Sequence, residues 1–317
     1  MVTFCLVAGL VLLFVGGEAL VRGAVGTARE AAISPLLIGL TIVAMATSAP
    51  ELVVSLEAAW QGRPAIAVGN VIGSNLANIL LILGTASVIA VLPCQRALVL
   101  REGSMMVFGA FLIVGLAFYG TIERWHGVAL LFMLVTFIGY TFWQERRSRD
   151  EAAKLHETEA DDIPTPPGGL MGAIGLVLLG VGMLAIGAQL LVYGATNLAR
   201  DFGVSEAVIG LSVVAIGTSL PELASVCVAA WRGQVEVALG NVIGSNIFNS
   251  FAILGATAVT KPIEIDQSFL SLDIWVMLAA SVMLLPLMLT GARISKFEGM
   301  AFLAAYCAYI GWIFYRI

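Results

Sequence analysis

Long apolar runs, separated by short polar stretches, make up most of the chain. A transmembrane helix needs about 20 residues to cross about 30 Å of hydrocarbon, and ten of the runs are long enough. They lie at 3–27, 33–59, 65–92, 103–121, 125–143, 168–198, 204–231, 235–259, 268–290 and 298–315. The pattern therefore predicts an all-α membrane protein with ten transmembrane helices.

A polar, charged stretch at 145–167 separates the first five runs from the last five. The sequence therefore predicts a first five-helix repeat at 1–144, a linker at 145–167 and a second five-helix repeat at 168–317. Short cytoplasmic loops carry an excess of arginine and lysine. With the amino terminus outside, eleven of the sixteen such residues fall on the inner side. We therefore expect a multi-pass protein of the plasma (inner) membrane, with its amino terminus outside and its linker cytoplasmic.

Composition agrees with a lipid environment and argues against several functions. Hydrophobic residues make up 60% of the chain and charged residues 12%, whereas soluble domains average roughly 25% charged residues. The four cysteines are far apart, and both histidines, His126 and His156, lie beside charged segments. Neither arrangement is typical of a metal site or of an enzyme nucleophile. We expect no enzymatic activity, no cofactor and no nucleic-acid partner, and a monomer in the lipid bilayer.

The two halves of the chain repeat each other at a constant offset of 171 residues. Residues 38–84 align without a gap to residues 209–255, and 26 of the 47 aligned positions are identical. Because each repeat has an odd number of spans, the second enters the membrane from the opposite side, so the repeats are inverted. Transporters built this way bind their substrate near the membrane midplane, where helices are interrupted. We therefore expect discontinuous helices at the second, third, seventh and eighth spans, around a midplane site.

One repeated motif places a glutamate inside an apolar span: ATSAPE at 46–51 and GTSLPE at 217–222. A charged side chain at the centre of a transmembrane helix costs at least about 2.5 kcal/mol, so Glu51 and Glu222 need compensation. No lysine or arginine lies near, which leaves a bound cation, a proton or hydrogen-bond donors. The proline before each glutamate frees backbone carbonyl oxygens. The preceding hydroxyl groups share a helix face with the glutamates: Thr47, Ser48, Thr218 and Ser219.

A second repeated motif, GNVIGSNLAN at 69–78 and GNVIGSNIFN at 240–249, forms a polar stripe. Its polar residues recur at every fourth position and therefore share one helix face: Asn70, Ser74 and Asn78, then Asn241, Ser245 and Asn249. Hydroxyl, amide and carboxylate oxygens are the ligands that calcium and sodium prefer. The two pairs of motifs together therefore predict a cation site.

With these motifs the chain resembles the calcium/cation antiporter superfamily, specifically its prokaryotic sodium/calcium exchanger branch, whose two repeats carry GTSxPE and GNxxGSNxxN/D. The resemblance covers essentially the whole length and implies alternating access. It implies cation binding by the following residues: Glu51, Glu222, Thr47, Thr218, Ser48, Ser219, Ser74, Ser245, Asn78 and the carbonyls of Ala44 and Ala215. Asn249 joins them as the counterpart of Asn78. Of these, we expect Glu51, Glu222, Thr47 and Thr218 to be metal ligands.

The chain departs from the family pattern at two positions. Ala46 replaces the glycine of the first motif, which is expected to affect helix bending but removes no ligand. Asn249 stands where some relatives, including potassium-dependent ones, have aspartate. One carboxylate is therefore absent, which argues against potassium coupling.

Three functional classes follow from these features. The leading interpretation is a secondary active antiporter that exchanges sodium for calcium. Two ionised glutamates together balance the charge of one calcium ion, or each of them balances the charge of one sodium ion. The alternative is a proton-driven calcium or cation exchanger that uses the same glutamates. A membrane structural or signalling protein without transport is the distant alternative, and it would make the duplicated carboxylates incidental.

For several other polar residues, a structural role is weighed against a role in transport. Interhelical hydrogen bonding competes with cation binding for four asparagines, which we leave out of the site: Asn70, Asn75, Asn241 and Asn246. Glu18 and Arg22 are four residues apart and are expected to form an ion pair near the membrane interface. Glu57 is likewise assigned to the interface.

Overall fold

The computed structural model describes residues 2–31, 33–96, 99–147, 169–201, 215–265 and 272–316. All but the first three residues of the predicted linker lie outside these described residues, as do residues 204–214 of the seventh predicted span. Helices make up nearly all of the described chain, which confirms the prediction of a helical protein.

Twelve helices are distinguished in the described ranges. They are α1 (Val2–Ala31), α2 (Pro35–Thr47), α3 (Ala49–Trp60), α4 (Pro64–Ile89), α5 (Val99–Tyr119), α6 (Arg124–Arg147), α7 (Gly169–Asp201), α8 (Ala215–Thr218), α9 (Leu220–Trp231), α10 (Val235–Thr260), α11 (Asp273–Thr290) and α12 (Lys296–Arg316). Seven of them are long and apolar enough to cross a membrane: α1, α4, α5, α6, α7, α10 and α11. Helices α2 and α3 together form an eighth, bent span.

Each of the ten predicted spans contains at least one of these helices. The seventh contains α8 and α9 and the tenth contains α12, and neither meets the same test of length and apolar composition within the described residues. The chain is therefore a multi-pass helical membrane protein, whereas the number of ten spans and their inverted orientation stay predictions.

Serine and proline determine where the second span begins. Ser34 caps α2, and its Oγ accepts a hydrogen bond from the backbone N–H of Leu37 at 3.3 Å. Pro35 follows at the first helical position, where a missing N–H has no cost. The backbone N–H of Ser34 donates to Oε1 of Glu145, at the end of α6, at 2.9 Å. The start of α2 is therefore held both by its own cap and by α6.

The predicted interruptions are found in two of the four spans for which they were expected. The second span is broken at Ser48 and the seventh at Ser219. Helices α4 and α10 are continuous, so the prediction of discontinuous helices at the third and eighth spans is corrected. These two helices contain no internal proline, but each includes a π-helical segment, Ala77–Leu83 in α4 and Asn249–Ile253 in α10. Single π turns inside α-helices occur frequently at functional sites.

The chain packs as two compact units, each made of two segments. The first unit combines residues 1–50 with 141–240, and the second combines 51–140 with 241–317. Each unit therefore takes segments from both predicted repeats. The repeats at 1–144 and 168–317 are units of sequence, and the domain assignment stays a prediction.

In the first unit, α1 and α7 pack antiparallel along a seam of glycines. Gly9 lies against Gly187 and Gly16 against Gly180, and a β-carbon added at Gly180 would lie 2.5 Å from the backbone nitrogen of Leu20. Small residues allow such close approach between membrane helices. At the offset of 171, Gly9 corresponds to Gly180 and Gly16 to Gly187. The two helices of the seam are therefore counterparts in the repeat.

The second unit contains two short antiparallel strand pairs. Strand β1 (Leu92–Pro93) pairs with β4 (Arg293–Ile294), and β2 (Thr121–Ile122) pairs with β3 (Ile263–Glu264). They connect loops between consecutive helices, and β1 and β3 are again related by the offset of 171. The sequence did not predict these strands, because a strand of two residues leaves no periodic pattern.

Candidate cation site

The two motifs that contain the glutamates break their helices in the same way. Ser48 separates α2 from α3 with φ −83° and ψ 5°, and Ser219 separates α8 from α9 with φ −87° and ψ 5°. Both residues lie in the bridge region, a sparsely occupied conformation that is common at active sites. Pro50 and Pro221 follow in the first turn of the next helix, where proline is tolerated. The axes of α2 and α3 differ by 44° across the break.

The alanine at position 46 leaves this geometry unchanged. The backbone angles at Ser48 match those at Ser219, so the expected effect of Ala46 on bending is not seen at the break. The glycine at position 217 is explained by packing, because a β-carbon there would collide with the side chain of Val192 on α7. The glycine of the second motif copy is therefore explained by its packing against Val192 and not by the geometry of the helix break.

Glu222 lies buried in the first unit, where it meets a residue of the other motif copy. The hydroxyl of Ser48 donates to Oε1 of Glu222 at 2.9 Å, and the two side chains are 0% and 2% exposed. A hydrogen bond to a charged acceptor is roughly twice as strong as one between neutral groups. The structure thus brings the first copy of the motif into direct contact with the carboxylate of the second.

Glu51 lies buried in the second unit, in the first turn of α3. The side-chain amide of Asn70, on α4, donates to the backbone carbonyl of Glu51 and to Oγ of Ser55, both at 3.0 Å. Asn70 therefore holds α4 against the start of α3. This contact agrees with the structural alternative for Asn70, and it fixes the backbone from which the Glu51 carboxylate projects.

The inner members of the polar stripes are all buried: Ser74, Asn78, Ser245 and Asn249. Ser245 donates to the amide oxygen of Asn241, one turn earlier, at 3.2 Å. Among the described residues, no hydrogen-bond donor reaches the amide oxygen of Asn249, whose side chain is 1% exposed. A buried acceptor without a donor costs about 1–3 kcal/mol, which a coordinated cation would offset. The two π-helical segments begin beside Asn78 and at Asn249.

The hydroxyl and carbonyl candidates of the first unit lie around the two breaks. Oγ1 of Thr47 lies 3.4 Å from the carbonyl oxygen of Ala44, which also accepts from the backbone N–H of Ser48 at 2.9 Å. The Ala44 carbonyl is therefore engaged within its own helix. In the other copy, Thr218 is half-buried and Ala215 is the first residue of α8.

The twelve predicted site residues fall into both units. The first unit holds Ala44, Thr47, Ser48, Ala215, Thr218, Ser219 and Glu222, and the second holds Glu51, Ser74, Asn78, Ser245 and Asn249. Their assignment to one cation site stays a prediction. In the described part of the chain, no cluster of three or more His, Cys, Asp or Glu side chains is found. The candidates are therefore mainly neutral oxygens with one carboxylate in each unit.

The sequence did not predict one polar contact that lies beside the polar stripes. The amide of Asn75, on α4, donates to the hydroxyl of Ser250, on α10, at 3.1 Å. An interhelical bond was one of the alternatives for Asn75, but Ser250 was not identified as its partner. The only available signal was a mismatch between the repeats, since the counterpart of Ser250 is Ile79.

Two acidic residues outside the site form surface contacts. Oε1 of Glu18 lies 2.6 Å from Nε of Arg22, which confirms the expected ion pair, and Oε2 lies 2.7 Å from Nε of Arg232. Glu57 accepts a hydrogen bond from Gln61 at 3.0 Å and is exposed. In these contacts the partners of Glu18 and Glu57 are not residues of the two repeated motifs.

Comparison with known proteins gives a consistent result. A family model described as sodium/calcium exchanger protein matches residues 1–143 and 172–315. The chain is 39% identical to the CaxA protein of Alkalimonas amylolytica, with 97% of each chain covered. It is 33% identical to the sodium/calcium exchanger MaX1 of Methanosarcina acetivorans, covering 98% of this chain and 97% of that one. The solved structure of the sodium-calcium exchanger NCX_Mj matches with a TM-score of 0.81 and 28% identity, covering 98% of this chain and 97% of that one.

Proposed function

The chain belongs to the sodium/calcium exchanger family, and from this premise we propose that it exchanges sodium for calcium across the plasma membrane by alternating access. It is a cation antiporter, that is, a secondary transporter and not an enzyme. Two relatives, MaX1 and NCX_Mj, are named as sodium/calcium exchangers, which supports sodium as the driving ion here.

The hydrogen bond from Ser48 to Glu222 is the observation that carries the proposal. An ionisable side chain within the membrane is costly and is by default a functional group. Glu222 is buried, and its partner is a hydroxyl that lies at a helix break. A hydroxyl can donate to a carboxylate or offer its oxygen to a cation. Ser48 and Glu222 can therefore form the core of a site that binds and releases a cation.

We assign twelve residues as ligands of the transported ions, with the two glutamates and two threonines as metal ligands. They are Glu51, Glu222, Thr47, Thr218, Ser48, Ser219, Ser74, Ser245, Asn78, Asn249 and the carbonyl groups of Ala44 and Ala215. The amide oxygen of Asn249, buried without a donor among the described residues, supports its assignment. Oxygen ligands of these types suit calcium and sodium.

Charge balance explains why such residues would exchange the two ions. Glu51 and Glu222 carry two negative charges when ionised, which equal the charge of one calcium ion or of two sodium ions. Each ion then stabilises the loaded protein, and one displaces the other according to its concentration on the open side. The protein requires no cofactor for this cycle, since sodium and calcium are both substrates.

Flux measurements in proteoliposomes test the proposal. Calcium-45 uptake by the purified protein is followed while sodium, potassium and proton gradients are imposed in turn. We expect uptake to follow an outward sodium gradient. Glu222→Gln should lower the rate by at least about tenfold, because it removes a charge while retaining the shape of the side chain. Glu57→Gln is the matched control, since it neutralises an exposed glutamate and should leave the flux unchanged.

Three other outcomes would contradict the proposal. Uptake that follows a pH gradient and ignores sodium would indicate the proton-driven exchanger. Absence of flux under every gradient would favour a membrane structural or signalling protein. Equal loss in Glu222→Gln and Glu57→Gln would remove the special role of the buried carboxylate.

We also propose an orientation and an oligomeric state. The distribution of arginine and lysine favours an amino terminus outside the cell and a cytoplasmic linker. Both copies of both motifs lie in one chain, which supports a monomer in the lipid bilayer. Light scattering of the detergent-solubilised protein would contradict the monomer by giving twice the chain mass of 33.3 kDa.

A further inference from the structure

A chain of two buried hydrogen bonds links α4 to α10 in the second unit. The side-chain amide of Asn75 donates to Oγ of Ser250 at 3.1 Å, and this hydroxyl donates to the backbone carbonyl of Asn246 at 2.8 Å. All three residues are buried. Water does not compete for such groups in a membrane interior, so a hydrogen bond that is lost there is not replaced. The link therefore fixes the contact between the two helices at this level.

Of the two equivalent asparagines, Asn75 of α4 makes this interhelical bond and Asn246 of α10 does not, although the two helices are counterparts in the repeat. Asn246 is the counterpart of Asn75, but its side-chain amide donates to the carbonyl of Val242, one turn earlier in its own helix, at 2.8 Å. The counterpart of Ser250 is Ile79, which has no hydrogen-bonding group in its side chain. The repeat therefore provides two asparagines but only one hydroxyl acceptor, and Ser250 makes the arrangement asymmetric.

The link adjoins two proposed ligands of the cation. Asn75 precedes Asn78 by three residues, which places their side chains on neighbouring positions of α4. Ser250 directly follows Asn249, and both belong to the π-helical segment of α10. A π turn holds one more residue than an α turn, so the side chains of this segment are rotated away from the positions of a regular α-helix. A hydrogen bond to Ser250 therefore fixes the rotation of the turn that carries Asn249.

We infer that Asn75 and Ser250 are positioning residues for cation binding: their hydrogen bond sets the orientation of Asn78 and Asn249. This inference depends on the proposed function, because it takes both asparagines to be ligands. The Ser250 hydroxyl uses its proton for Asn246 and accepts from Asn75, so it acts through its neighbours and not as a ligand. The side-chain amide of Asn75 also contacts the buried side chain of Met277, whose sulfur lies 3.8 Å away.

The calcium dependence of flux in Ser250→Ala tests this inference. Removing the hydroxyl should raise the KM for calcium by about tenfold, the equivalent of one buried hydrogen bond. The maximal rate per folded protein should change by less than about threefold, because the carboxylates are intact. Ser250→Thr keeps the hydroxyl and should restore the KM to within about twofold of the original protein. Asn75→Ala breaks the same bond from α4 and should reproduce the effect of Ser250→Ala.

Ser281→Ala provides the matched control. Its hydroxyl is equally buried in the second unit, but it donates to the carbonyl of Met277 within its own helix at 2.9 Å, so its removal should leave the KM unchanged. An unchanged KM in Ser250→Ala and Asn75→Ala, or no rescue by threonine, would overturn the inference. Failure of both variants to accumulate in the membrane would also overturn it, in favour of a purely structural bond. If the original protein shows no sodium-dependent calcium flux in the same vesicles, the proposed function itself fails.

Discussion

At the scale of single residues, the buried polar groups differ in how they are satisfied. Glu222 has a hydroxyl donor in Ser48, whereas the amide oxygen of Asn249 has no donor among the described residues. The first arrangement holds a charge in place, and the second leaves an acceptor that only a water molecule or an ion would satisfy. The Glu222 carboxylate is thus already engaged by a hydroxyl within the first unit, whereas the Asn249 oxygen in the second unit remains available as an acceptor.

A thiol outside the membrane-spanning segments gives a prediction at the same scale. Cys94 follows β1, and its backbone N–H donates to the carbonyl of Ala292 at 2.7 Å. Burial raises the pKa of its thiol from 9.0 to about 12. Because the shift is upward, the thiol stays protonated throughout the neutral range, and at pH 8 roughly one part in 10,000 is thiolate. We therefore expect a water-soluble maleimide to label Cys94 at least about 100-fold more slowly than an exposed thiol.

The comparison uses a background in which the other three cysteines are replaced by serine. Arg96→Cys, two residues away and exposed, is the control, and its labelling should be complete within the time in which Cys94 stays unlabelled. Denaturation should remove the difference between the two positions. Labelling of Cys94 in the folded protein at the rate of the control would contradict the burial on which the prediction rests.

The sequence predicted residue identities better than residue contacts. The duplicated glutamates and their hydroxyl neighbours were identified from spacing, because an acid inside an apolar span requires an explanation. The contact of Ser48 with Glu222, across 174 positions, could not be derived in this way, since it depends on which helices pack together. Asn75 and Asn246 occupy equivalent positions, yet one bonds across helices and the other within its own helix. That difference depends on a neighbouring side chain, Ser250.

At the scale of helices and strands, the sequence predicted the features that proline determines and missed the features that no residue type or periodic pattern marks. Interruptions of the second and seventh spans were predicted, because proline removes a backbone donor and has a steric effect on the preceding turn, but their positions at Ser48 and Ser219 were not. The π-helical segments of α4 and α10 were not predicted, since no residue type marks a change from α to π hydrogen bonding. The two strand pairs were missed because they are too short to create an alternating pattern.

The glycine seam between α1 and α7 gives a prediction about stability. Gly180→Val would place its β-carbon 2.5 Å from the backbone nitrogen of Leu20 and 2.7 Å from the carbonyl oxygen of Gly16. Backbone atoms cannot rotate away as a side chain can, so the two helices must separate. Overpacking of this kind costs about 1–3 kcal/mol. We expect the thermal unfolding midpoint of the detergent-solubilised protein to fall by roughly 3–10 °C.

Gly182→Val is the matched control for this change. It lies on the same helix, introduces the same β-branched side chain and has no atom within 4 Å of its added β-carbon. Its midpoint should stay within about 2 °C of the original value, because only helix propensity changes. Equal midpoints for Gly180→Val and Gly182→Val would mean that the seam is not closely packed in the membrane protein.

At the scale of the whole molecule, the position of the linker follows from the number of spans. Three predicted spans, with α7, the pair α8 and α9, and α10, lie between Lys154 and Lys261. An odd number of crossings places these two lysines on opposite sides of the membrane. The distribution of positive charges predicts that Lys154 lies in the cytoplasm and Lys261 outside.

Labelling of single cysteines in intact cells tests this arrangement, again with the native cysteines replaced by serine. An impermeant maleimide should label Lys261→Cys directly, and Lys154→Cys only after the membrane is permeabilised. Labelling of Lys154→Cys alone would reverse the orientation and would contradict the assignment from positive charges. Labelling of both would mean an even number of crossings between them, so that the pair α8 and α9 would not span. The second outcome would also contradict the inverted repeat, because an inverted copy needs five crossings in each half of the chain.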